Sequence, residues 1–89
     1  MPELARFYGI VVRMFWESDA KHHRPHFHVE YQEHLAVFAC DQIELLSGDL
    51  PLRQRRLVEV WADLHQEELL ENWARLRQGR SRRPIAPLR

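Results

Sequence analysis

Residues 26–31 (His26-Phe27-His28-Val29-Glu30-Tyr31) alternate without interruption between two kinds of side chain. A period of two is the pattern of a β-strand with one buried face. Phe27, Val29 and Tyr31 therefore belong to one side, and His26, His28 and Glu30 to the other. A slip of one residue in pairing would exchange the two faces, so the register of this strand decides what the histidines can do.

The flanking segments extend this strand into a sheet. Phe7 to Trp16 is aromatic and β-branched and reads as one largely buried strand. Glu17 to Lys21 is polar and reads as a loop. Gln32-Glu33 makes a turn into a further strand, His34 to Cys40, with Leu35 and Val37 alternating. A short strand follows over Ile43 to Leu46, before Ser47-Gly48-Asp49 breaks the pattern.

The second half of the chain changes period. Pro51 suits the first turn of a helix, with Asp49 or Leu50 near its cap. Leu57, Val60, Trp61 and Leu64 keep helical spacing, the phase slips, and Leu69, Leu70, Trp73 and Leu76 restart it. A single straight helix from Leu52 to Gln78 would be about 40 Å long at roughly 1.5 Å per residue, too long for so small a domain. Two helices, or one bent near His65-Gln66, are expected, with Gly79 as the stop. Strands first and helices second predict the α+β class: an antiparallel sheet of three to four strands with two helices packed on one face. The domain is expected to span residues 1–79, with 80–89 a basic, mobile tail.

Composition narrows the function classes. The chain has 89 residues, one cysteine, and 13 basic against 13 acidic side chains. With Cys40 alone, neither an intrachain disulfide nor a thiolate-rich zinc site can form. The core is too small to enclose a large cofactor, and none is expected. No apolar run approaches the roughly 18 residues of a membrane span, and the N-terminus lacks the pattern of a signal peptide, so the cytoplasm is the expected address. Neutrality conceals asymmetry. Glu59, Asp63, Glu67, Glu68 and Glu71 form an acidic helical stretch, whereas Arg75 to Arg89 holds six arginines and no acid. Arg75, Arg77, Arg80, Arg82 and Arg83 are the candidates for contact with nucleic acid, since the guanidinium fork matches phosphate.

Five of the six histidines lie between His22 and His34. His26 and His28, two apart on a strand, should present rings on one face about 7 Å apart. Three chemistries fit. In metal-independent RNA cleavage, one imidazole takes the 2′-hydroxyl proton, the other donates to the leaving oxygen, and an arginine steadies the phosphorane. His26, His28, Arg24 and Arg13 are the candidates. In metal binding, Glu30, His22 or His23 would join the pair as a third ligand. In plain recognition, the same side chains contact a partner without reaction. The plainest account leaves the histidines as solvated polar residues. Trp61, Trp73, Leu64 and Leu70 read as core, and Cys40 as a small buried hydrophobe.

Several blocks together resemble a bacterial family catalogued as domain of unknown function 4160. They are Met1-Pro2, Arg6 to Met14, Pro25-His26-Phe27-His28-Val29-Glu30-Tyr31, Gly48-Asp49-Leu50-Pro51, and Leu64 to Trp73. The resemblance implies a small prokaryotic protein, often encoded beside a second small protein, in pairs proposed as toxin–antitoxin modules. The family's recurrent P-H-F-H block falls on Pro25 to His28. Members usually carry Asn or Pro before that block, where this chain has His22-His23-Arg24, so no role is carried over to His22 or His23. Their Asn-Thr-Gly turn appears here as Asp41-Gln42-Ile43. The leading expectation is a toxin-like component acting on RNA through His26 and His28 and neutralised by a small protein partner. A non-catalytic binding or regulatory module and a metal-binding protein are the alternatives.

Overall fold

The computed structural model describes residues 3–16 and 24–89. Met1-Pro2, the expected loop from Glu17 to Lys21, and His22 and His23 lie outside the described residues. Five strands form one antiparallel meander in sequence order: β1 (Glu3–Phe7), β2 (Ile10–Arg13), β3 (His26–Tyr31), β4 (His34–Ala39) and β5 (Glu44–Gly48). Two helices follow, α1 (Leu52–Leu64) and α2 (Gln66–Arg77). The class is α+β as expected, but the sheet has five strands rather than three or four.

The extra strand is β1, which precedes the segment read as a single run and shares only Phe7 with it, because a turn breaks that run. Tyr8 and Gly9 adopt φ of +50° and +77°, the paired positive values of a two-residue hairpin turn whose twist matches its flanking strands. Phe7 thus pairs with Ile10 and Arg6 with Val11. The last strand also sits later than expected, because Ser47 and Gly48 continue it opposite Val37 and Ala36. Pro51 occupies the N-cap of α1 rather than its first turn.

The β3 register keeps the predicted faces. Phe27 and Val29 are fully buried, as are Ile10, Val12 and Phe38. They meet Val58, Trp61 and Ala62 of α1 and Leu69 and Trp73 of α2. The Trp61 ring lies 5.4 Å from Phe7 and 6.0 Å from Phe27, so it joins β1, β3 and α1. The helices cover this one face. Leu64 and Leu70, expected in the core, are exposed; Val58 and Leu69 occupy the inward positions instead.

The helical break falls at His65, as the slip in phase predicts, with φ −115° and ψ 24°. Gln66 pins the junction by donating from Nε2 to the carbonyls of Cys40 and Asp41, both at 2.9 Å. Gly79 takes φ +74° after α2. The segment beyond it, expected as a tail, packs against the domain. Ile85 is buried, its N–H donates to Leu4 O, and Trp61 Nε1 donates to Ala86 O. No described helix is long and apolar enough to cross a membrane.

Candidate functional site on the open sheet face

Strand pairing builds the uncovered face in rows. Arg13, His28, Val37 and Ser47 stand opposite one another across β2, β3, β4 and β5, and Val11, Glu30 and Leu35 form the adjacent row. Phe15, two residues beyond Arg13, returns over the sheet and stacks on the His28 ring at 4.3 Å and 16°. Together with Arg13, His28, Leu35, Val37 and Ser47 it lines a groove of about 330 Å³. Leu35 is 64% exposed, on the strand that also supplies Phe38 to the core.

His26 stands one row further along, opposite Ala39. Its ring lies 5.3 Å from that of His28, closer than the roughly 7 Å that strand rise alone gives, because the two rings meet edge to face. Its other side packs on Trp73 of α2 at 4.9 Å, and the residue is only 5% exposed. Nδ1 lies 2.8 Å from the Arg24 carbonyl oxygen. A carbonyl only accepts, so Nδ1 carries a proton, and in the neutral ring Nε2 is the acceptor.

The two arginines expected beside the histidines are present but engaged with carboxylates. Arg13 Nε donates to Glu30 Oε2 at 2.8 Å across β2 and β3. Arg24 grips Asp41 through Nε at 3.2 Å and Nη2 at 2.9 Å, and reaches Glu44 through Nη1 at 2.9 Å. The hydrogen bonds to Asp41 and then Glu44 raise the Arg24 guanidinium above its ordinary value. The same contact with Arg24 is the first cause holding Asp41 below the usual carboxylate range. This fork ties the segment before β3 to the loop after β4 and to the first residue of β5, whereas the sequence reading placed Arg24 beside a reacting phosphate.

Among the described residues, no group of three or more His, Cys, Asp or Glu side chains is placed to hold a metal ion, and His26, His28 and Glu30 do not form one. Cys40 is fully buried, and burial, followed by Asp41, pushes its thiol up to about 12. It is protonated at neutral pH and packs as an apolar side chain.

The C-terminal arginines divide between two surfaces. Arg77 lies over the Trp16 ring at 5.6 Å, and Trp16 meets Trp73 edge-on at 5.2 Å, continuing to His26. Arg75 donates from Nε to Ser81 O at 2.8 Å, Arg82 from Nε to Glu3 O at 2.8 Å, and Arg83 Nη1 lies 3.6 Å from Glu71. Phe15, Leu35 and Val37 were not read as site residues. The sequence shows Leu35 and Val37 in one alternation phase, and Phe15 in that of Arg13, but only the strand pairing puts these positions on the His28 face.

The model of the domain of unknown function DUF4160 matches residues 9–74, and the chain belongs to that family. No curated protein and no solved structure matches the chain.

Proposed function

We propose that this member of the DUF4160 family is a recognition module that seats a small protein partner on the open face of its sheet. The observation that carries this reading is the groove itself, with Phe15, His28, Leu35 and Val37 as walls and the Arg13–Glu30 pair beside it. An apolar floor with a charged margin is the anatomy of a protein interface, where one or two anchor side chains supply most of the affinity. At about 330 Å³ the groove sits near the bottom of the range for small-molecule sites, roughly 300–1,000 Å³, and suits one inserted side chain. The neighbouring chemistry favours recognition over reaction. Arg13 and Arg24 are already neutralised by carboxylates, so a phosphorane would have to displace Glu30, Asp41 and Glu44. His26 is nearly excluded from solvent. The partner's source is suggested by the family resemblance, which implies a second small protein encoded alongside.

Co-purification with the product of the adjacent small gene, followed by titration calorimetry, tests the reading. Leu35→Glu should weaken the complex at least tenfold, because it places a charge where an apolar anchor sits, while the melting temperature stays near that of the parent. Equal affinity of parent and variant would sink it.

A second reading is favoured by one specific observation. The His26 and His28 rings are 5.3 Å apart and the proton of His26 Nδ1 is held by a carbonyl, the relation expected of a paired acid and base in RNA cleavage by a toxin-like protein. Expression of the chain alone in bacteria, beside the His26→Ala, His28→Ala double variant, separates the two. Growth arrest with RNA loss that the double variant abolishes would replace recognition by catalysis; intact RNA with both proteins supports the recognition module.

A further inference from the structure

We infer that the end of α2 and the segment after it form a second site, independent of the sheet groove, that docks the phosphate backbone of a nucleic-acid strand through the guanidinium groups of Arg75, Arg80 and Arg83. The geometry begins with Asn72. Its amide is buried in α2, donates to Arg83 O at 3.0 Å and accepts from Arg83 N–H at 2.6 Å. Arg80 N–H donates to Arg75 O at 2.9 Å, and Arg75 Nε to Ser81 O at 2.8 Å. These bonds fold the chain after Gly79 back on α2 and bring three guanidinium-bearing residues to one surface. Their like charges are left largely unneutralised. Glu71, 3.6 Å from Arg83, is the one carboxylate with an ion pair there among the described residues, and Ala74 to Arg89 contains no acid. Desolvation, then the charges of Arg80 and Arg83, hold Arg75 below its ordinary value, although it stays protonated at any physiological pH. Arg80 is exposed, and its guanidinium makes no hydrogen bond or ion pair among the described residues.

The surroundings choose phosphate over an acidic protein. Large exposed apolar side chains lie at Tyr8, Leu35, Leu52, Val60, Leu64 and Leu70, and none lies between Arg75 and Arg89. A protein partner would be expected to find an apolar anchor point. A phosphate backbone needs none, since its affinity comes from ion release and from bidentate guanidinium contacts.

Fluorescence anisotropy with a labelled oligouridylate of about 12 nucleotides, between roughly 50 and 200 mM salt, tests the site. Three phosphate contacts predict a plot of log affinity against log salt with a slope of about −2, since each contributes about −0.7 on a single strand. Arg80→Gln with Arg83→Gln removes two exposed guanidiniums while leaving the backbone bonds of Asn72 in place. The double variant should bind at least tenfold more weakly at low salt, with a slope near −0.7. The Leu35→Glu variant should bind the RNA as the parent does, which keeps this result separate from that of the groove. Absence of RNA binding by the parent, unchanged binding by a folded double variant, or displacement of the RNA by equimolar polyglutamate would overturn the inference.

Discussion

Asn72 lies inside α2 with both ends of its amide engaged: Nδ2 donates to Glu68 O and Arg83 O, and Oδ1 accepts from Arg83 N–H. It is 2% exposed, so a truncation cannot be made good by bulk water. Asn72→Ala leaves the Arg83 N–H and carbonyl without their part-buried partner, and unfolding in urea should show a loss of about 2 kcal/mol. The block Leu64 to Trp73 was legible in the sequence as a family signature, but its purpose was not, because Asn72 acts on a residue eleven positions later through a fold-back that no helical periodicity encodes. The histidines show a similar division. The shared face of His26 and His28 was readable from alternation; the burial of His26 was not, because it depends on Trp73 arriving from α2.

Among the elements, β3 and the helical break were the most legible. Strict alternation and a phase slip are strong local signals, and both stand where they were expected. The β1–β2 hairpin was hidden because Tyr8 is a poor turn residue and the apolar run continues on either side of it. Only Gly9 hinted at the turn. Its positive φ is the reason for glycine there, and an added Cβ would meet nothing closer than Tyr31 Cε1 at 3.5 Å. Gly48 differs. It too has positive φ, at +79°, but a Cβ would run into the Leu35 carbonyl and come within 2.8 Å of Ala36 Cα, a clash against backbone that cannot swing away. Gly9→Ala should therefore cost about 1 kcal/mol and Gly48→Ala about 3 kcal/mol. Thermal melts of the two variants would check the order, and equal losses would contradict this account of the β4–β5 pairing.

At the scale of the whole molecule, the segment after Gly79 closes the fold. Ile85 is 4% exposed, donates from its backbone to Leu4 on the edge strand β1, and brings Ala86 O to the Trp61 indole at 2.8 Å. These contacts join the end of the chain to its first strand and to the middle of α1. Ile85→Ala should cost about 3 kcal/mol, within the range for large buried aliphatic residues, and should speed amide exchange in β1 as well as in the C-terminal segment. A variant with parent stability and unchanged β1 exchange would show that the segment is an accessory rather than part of the core. The sequence by itself determined the class, the faces of β3 and the position of the helical break, because each depends on the period of side chains along a continuous stretch. Only the tertiary structure decided which charges remain available. Arg13 and Arg24 find carboxylates on neighbouring strands and loops, while a buried amide holds Arg83 on α2 and a backbone bond brings Arg80 to Arg75. Such pairings depend on residues brought together across the sheet and across the turn at Gly79, and distance along the chain carries no record of them.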